Sequence, residues 1–157
     1  MKSYRHIITK AIIGKGKEKV ETKTTLSLPQ RPNRILGCWI VNHHYQARKQ
    51  KNDVELSGHF ELNIWYAHGG SKKTAVHAEV ISYKEHVNVH YENASLSKDE
   101  VYIKSIDDPE CEKAVIEEDG KVCVETCHSV LIEVVGETTV CVESFDFHDK
   151  EESSSPF

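Results

Sequence analysis

The stretch DVELSGHFELNIWYAHGGSKKTAVHAEV, residues 53–80, decides how the chain folds. From Val54 to Tyr66 every even position except Gly58 is apolar (Val54, Leu56, Phe60, Leu62, Ile64, Tyr66), while the odd positions are mostly polar. A period of two sends alternate side chains to opposite faces of an extended chain, so this is one long strand with a core face and a polar face. His68-Gly69-Gly70-Ser71 turns it into a hairpin, because consecutive glycines accept the positive φ values of a tight turn. The returning segment keeps the period, with Val76, Ala78 and Val80 on one face, and VNVHY carries it on with Val87, Val89 and Tyr91.

The rest of the chain reads the same way. AVIEEDGKVCVETCHSVLIEVVGETTVCVESF, residues 114–145, is a hairpin series with expected turns at Asp119-Gly120 and Gly136-Glu137. Val122, Val124, Val130, Ile132, Val134, Val140 and Val142 all fall at its even positions. ILGCWIVNHHY is rich in β-branched and aromatic residues, and Pro29 and Pro32 exclude a helix just before it. RHIITKAIIGK holds its apolar residues in pairs, Ile7/Ile8 and Ile12/Ile13, a pattern open to strand or short helix; strand suits the company it keeps. Ser97 and Asp108, the latter followed by Pro109, can each cap a helical turn. Many strands with short turns and no βαβ rhythm predict an all-β fold, an antiparallel β-sandwich or partly closed barrel of about 7–10 strands. Residues 1–145 are expected to form one β-rich domain and the acidic, serine-rich residues 146–157 a short disordered tail.

A chain of 157 residues with 38% hydrophobic and 29% charged content suffices for one domain with its own core. No apolar run approaches the roughly 18 residues of a membrane span. The basic N-terminus has no small-residue cleavage site behind it, so the expectation is a protein made and kept inside a cell. The net charge of −5 hides a division. Residues 1–52 carry twelve Lys/Arg against two acids, Glu18 and Glu21, and residues 53–157 carry eight Lys against twenty-three acids. Either strands from the two parts interleave and neutralise each other within one molecule, or a basic patch of one copy meets an acidic patch of the next. The acidic remainder would repel phosphate, which argues against nucleic acid as a partner.

Convergent chemistry is hard to find. His86 with His90, or Cys123 with Cys127 and His128, have spacings that suit a metal on a helix, but residues four apart in a strand lie about 13 Å apart. Glu117 and Glu118 sit beside the Asp119-Gly120 turn, where a solvated loop explains them. There is no nucleophile elbow, phosphate loop or dinucleotide fingerprint, so no enzyme, cofactor or metal is expected. Trp39, Trp65, Tyr66, Tyr83 and Tyr91 could make a sugar-stacking platform; the expectation instead is that Trp39 and Tyr66 are core, while Trp65, at an odd position of its strand, points to the polar side. An outward Trp suggests that something covers it.

Five cysteines, an odd number without a Cys-x-x-Cys pair, argue against a disulfide scaffold or zinc ribbon and predict free thiols as made. Cys123, Cys127 and Cys141 fall opposite the valines, on the polar face with Glu125, Thr139 and Glu143. They are placed either beneath a covering layer or within reach of a neighbouring molecule, where oxidation would cross-link it. Trp65, Cys123, Cys127 and Cys141 are thus the interaction or cross-linking candidates.

Four blocks, YRHIITKAIIGKGK, ILGCWIVNHHY, VELSGHFELNIWY and EVVGETTVCVE, in order between about residues 3 and 145, resemble the CotE family of outer spore coat morphogenetic proteins. The resemblance implies a non-enzymatic scaffold, made in the mother-cell cytoplasm during sporulation and then resident in the coat. It also implies self-association into a layer around the forespore, resting on the inner basement layer, and recruitment of outer coat proteins. A long, strongly acidic C-terminal tail belongs to the same pattern, and here only Asp146, Asp149, Glu151 and Glu152 represent it. From the residues alone, a carbohydrate- or ligand-binding β-sandwich is the alternative.

Overall fold

The alternating runs of the sequence become strands. A computed structural model of the chain describes residues 2–51, 53–96 and 98–145; the expected tail and the cap at Ser97 lie outside the described residues. The strands are β1 (Ser3–Leu26), β2 (Pro32–Lys49), β3 (Asp53–His68), β4 (Lys73–Asn88), the short β5 (His90–Tyr91), β6 (Glu100–Ile116) and β7 (Val122–Ser144). They form two antiparallel sheets, ordered β5-β1-β7-β6 and β2-β3-β4. The sheets pack face to face as an all-β sandwich and do not close into a barrel. RHIITKAIIGK is strand throughout.

The first and last strands pair along almost their whole length, from Ser3 opposite Ser144 to Leu26 opposite Val122. This ladder interleaves the basic and acidic parts of the sequence. Lys10 faces Glu137, Lys15 faces Glu133 and Lys23 faces Glu125. Ion pairs add Lys2 to Glu143 at 3.4 Å, Lys10 to Glu100 at 3.8 Å, and Lys49 to Asp99. The charge division is therefore neutralised to a large extent inside one molecule.

The two inner faces bury the even-numbered residues of β3 and β7. One cluster gathers Val54, Leu56, Val87, Val130, Ile132 and Val134; a second gathers Phe60, Leu62, Ile64, Tyr66, Val122 and Val124. Each such side chain stabilises by about 2 kcal/mol relative to exposure. The Gly69-Gly70 turn joins β3 to β4, with φ of 62° and 70° at the two glycines. Gly120, at φ 88°, occupies the turn before β7.

Four expectations are corrected. Gly136 is no turn: β7 runs through it, and the glycine leaves room for close neighbours, since a Cβ there would lie 2.6 Å from Ser95 Oγ and 2.9 Å from Ile13 Cδ1. The segment after Asp108 is strand, with Pro109 accommodated where the β6–β7 register breaks between Asp107 and Glu110. Val76, Ala78 and Val80 share a face as expected, and it is the outer one, because Ala75, Ile81, Tyr83 and Val87 take the inner positions. A register shift between Ile35 and Gly37 reverses the parity of β2, so Trp39 points outward while Cys38 and Ile40 point inward. Inward Cys38 consequently meets Cys111 of β6, with Cα atoms 6.2 Å apart, and the two form a disulfide across neighbouring edges of the sheets.

After β4 the chain crosses from one sheet to the other through Val89, lying directly over β1. Gly14 and Gly16 make room for this crossing: a Cβ on Gly16 would sit 2.5 Å from the Asn88 carbonyl oxygen. Because the obstacle is backbone, Gly16→Ala is expected to destabilise by about 2 kcal/mol, read as a lower urea midpoint with unchanged slope. An unshifted midpoint would show that the crossing is loose.

Candidate functional sites: a buried polar seam, an outward aromatic face and a two-stranded arm

The exception in the β3 alternation, Gly58, marks a polar seam between the two apolar clusters. Its neighbour across the ladder is Tyr83 of β4, and a Cβ on Gly58 would fall 2.4 Å from the Tyr83 hydroxyl oxygen. The missing side chain lets the tyrosine lie across β3 and place its hydroxyl 2.6 Å from His43 Nε2 on β2. His43 points inward because of a bulge between Val41 and His44, where Asn42 takes φ 55° and donates from Nδ2 to Glu61 at 3.0 Å. From the opposite sheet, His128 of β7 meets both groups, its ring 4.8 Å from His43 and 5.0 Å from Tyr83.

Burial sets the protonation of this seam. His128 is 2% exposed, its Nε2 has no hydrogen-bond partner among the described residues, and burial with His43 alongside pushes its pKa down to about 4. Burial also lowers His43, against the opposing pull of Asp108, and raises Tyr83 to about 12. At neutral pH the seam is thus two neutral imidazoles and a neutral phenol. A general base works best with a pKa near the operating pH, and these groups are tuned away from it. The arrangement suits packing between sheets better than proton transfer.

Above the seam, on the outer face of the β2-β3-β4 sheet, lies an open depression of about 570 Å³ lined by His44, His59, Ser57, Ser82 and Lys84 among others. Further along that face the surface turns apolar. Trp65, opposite Gly37 and Val76, is 43% exposed, and Trp39 is 42% exposed. The two indoles flank Gly37, coming within 3.5 and 3.8 Å of where its Cβ would stand. Val41, Val76 and Val80 extend the patch. Tyr66 is in the core as expected, and Tyr83 and Tyr91 also pack inward, so the platform reduces to the two tryptophans.

The candidate thiols stand where the alternation placed them, away from the valine core. Cys123 faces Thr25, Cys127 faces Glu21, and Cys141 faces His6. Cys123 and Cys127 are half-buried, and Cys141 is exposed. Burial raises the Cys127 thiol pKa and keeps it protonated, so Cys141 is the most accessible of the three. Cys127 and His128 point to opposite faces, and among the described residues no group of three or more His, Cys, Asp or Glu is placed to hold a metal. Glu117 and Glu118 are exposed, at the turn where the Arg31 guanidinium donates to the Glu118 carbonyl at 2.9 Å.

The third feature is an arm. β6 follows β7 only as far as Val135, and β5 touches β1 only at Gly14 and Lys15. Beyond the Leu96 amide, which donates to the Glu137 carbonyl at 2.7 Å, Ser3–Thr9 and Thr138–Ser144 pair with each other and with no third strand among the described residues. The Ile7/Ile8 doublet distributes one apolar side chain to each face of this ribbon. Ile7 opposes Val140 on one face; Ile8, 67% exposed, shares the other with Tyr4, 68% exposed.

Residues 3–155 match the family model described as outer spore coat protein E (CotE). No curated protein and no solved structure matches the chain.

The seam gives stability a pH dependence. An imidazole that is harder to protonate when folded leaves the unfolded chain binding more protons below its ordinary value of 6.5. Stability is therefore complete above that pH and falls as pH drops toward 4, with His128 costing about 2 kcal/mol between pH 7 and pH 5. His43 adds in the same direction. Urea unfolding at the two pH values is expected to show a smaller loss in His128→Leu than in the parent; equal losses would mean that His128 is not shielded as described.

Proposed function

The chain belongs to the outer spore coat protein E family, which implies a role in the outer spore coat, and from that premise we propose that it is a scaffold whose copies join one another. The arm carries this reading. An isolated two-stranded ribbon is at best marginally stable in water, and this one exposes an apolar side chain on each face, Ile7 on one and Tyr4 with Ile8 on the other, with edges unpaired among the described residues. Such an element is complete only against another protein. A second copy is the partner always at hand, and strand addition at free edges is a direct route to a layer.

On this reading the molecule is made in the mother cell, settles on the inner basement layer of the coat, and offers the Trp39–Trp65 face to outer coat proteins. In a reducing compartment Cys38 and Cys111 would stand side by side as thiols; oxidation in the coat would close their bond and let Cys141, with Cys123 and Cys127, cross-link neighbours. Nothing in the seam calls for a substrate, so the role is structural and not enzymatic.

A second reading rests on one observation, the two outward indoles flanking Gly37, which would suit stacking of a sugar ring. Binding of glycan fragments that disappears in Trp65→Ala would favour it.

The scaffold predicts that the purified protein scatters light as high-order species at moderate salt. Raising salt from about 0.05 M to about 0.5 M is expected to shrink them, because exposed charges are screened beyond a few Å; strict monomers at high micromolar concentration would remove the reading's support. Oxidised assemblies are expected to run as ladders on non-reducing gels, and a Cys123/Cys127/Cys141 triple serine variant to lose them. A ladder that persists in that variant would exclude these thiols as the cross-link.

A further inference from the structure

The sheet edges of this protein are not alike. β6 is broken by three register irregularities and carries Pro109, and β2 has three register shifts and the Cys38–Cys111 bond. Irregular backbone and proline are the means by which edges resist pairing with another chain. β4, the other edge of the three-stranded sheet, is regular and free of proline, but it mixes Lys73 and Lys84 with Glu79 and Glu85. The two edges of the arm, Ser3 to Ile12 and Thr138 to Ser144, are likewise regular and free of proline.

These open edges also differ in charge. Between Lys2 and Ile12 the β1 side holds Lys2, Arg5 and Lys10 and no acid. The β7 side holds Glu137 and Glu143 and no cation, and the sequence beyond it adds Asp146, Asp149, Glu151 and Glu152 against Lys150. Two β1 edges brought together would oppose cations to cations, and two β7 edges would oppose acids to acids. A β1 edge against a β7 edge has neither penalty, and within the molecule these two sequences already form a matched antiparallel ladder.

Resting on the self-association reading, we propose that the arm is the joint between copies: the Ser3–Ile12 edge of one molecule adds as a strand to the Thr138–Ser144 edge of the next. The contact is heterologous, using a different surface on each partner. It leaves one β1 edge and one β7 edge open at the ends of every assembly, so growth continues instead of stopping at a dimer. Tyr4, Ile7 and Ile8 would then be flanked by a further strand on the side that is open in the single molecule.

The test exchanges charge on the full-length chain. Arg5→Glu with Lys10→Glu makes both arm edges acidic; Glu137→Lys with Glu143→Lys makes both basic. Each variant alone is expected to lose high-order light scattering by about tenfold relative to the parent, since like charges across a contact cost several kcal/mol. An equimolar mixture is expected to recover it, because acidic edges of one variant then meet basic edges of the other. Mixing cannot relieve repulsion inside a single molecule, so recovery identifies an intermolecular contact. Parent-like scattering by either variant alone, or no recovery on mixing, overturns the joint while leaving the scaffold reading intact. A parent protein that never assembles overturns the scaffold reading, and the joint with it.

Discussion

The structure depends on the pairing of its first strand with its last. β1 and β7 are joined from Ser3–Ser144 to Leu26–Val122, which brings the basic and acidic ends of the sequence together. β7 is flanked by β1 and β6 and supplies Val122, Val124, Val130, Ile132 and Val134 to the core. The same pairing outruns the body of the sandwich. Where β6 and β5 stop and the ladder continues, the arm appears. A single long-range ladder thus provides both the internal cohesion of the molecule and the part of it left without neighbours.

The interior is apolar at both ends and polar in the middle. In β7 the valines are interrupted by Thr126 and His128, and in β3 the large residues are interrupted by Gly58. These interruptions face each other, and His43 and Tyr83 occupy the space between. Burying neutral imidazoles this way makes the sandwich sensitive to acid without giving it a reacting centre matched to neutral pH. The outer faces divide differently. The four-stranded sheet sets lysines of β1 beside glutamates of β7, whereas the three-stranded sheet exposes two tryptophans and three valines.

Much of this was legible in the alternation. The β3 strand, the Gly69-Gly70 turn, the inward valines of β7 and the outward thiols at 123, 127 and 141 follow from a period of two. His128 could have been placed inside by the same count, since it is an even-numbered residue between buried Thr126 and Val130. The bulges were not legible, because a single extra residue reverses every later assignment in its strand. Outward Trp39, inward His43 and the Cys38–Cys111 approach all follow from such bulges in β2. Gly136 read as a turn because close backbone approach and chain reversal ask for the same residue, and only the position of Ser95 separates them. The Ile7/Ile8 doublet, ambiguous between helix and strand, is explained by its place in the arm, whereas of the second doublet Ile13 is buried in the core and Ile12 points outward.

Membership in an outer spore coat family and a sandwich that ends in a ribbon exposing Tyr4, Ile7 and Ile8, with no third strand among the described residues, support one account, in which the molecule is a unit of a larger layer. Electron microscopy of the purified full-length protein at low and high salt tests it most directly. The account predicts extended sheets or filaments at low salt that shorten as salt rises. Uniform particles of a single 17.9 kDa chain at every salt concentration would contradict it.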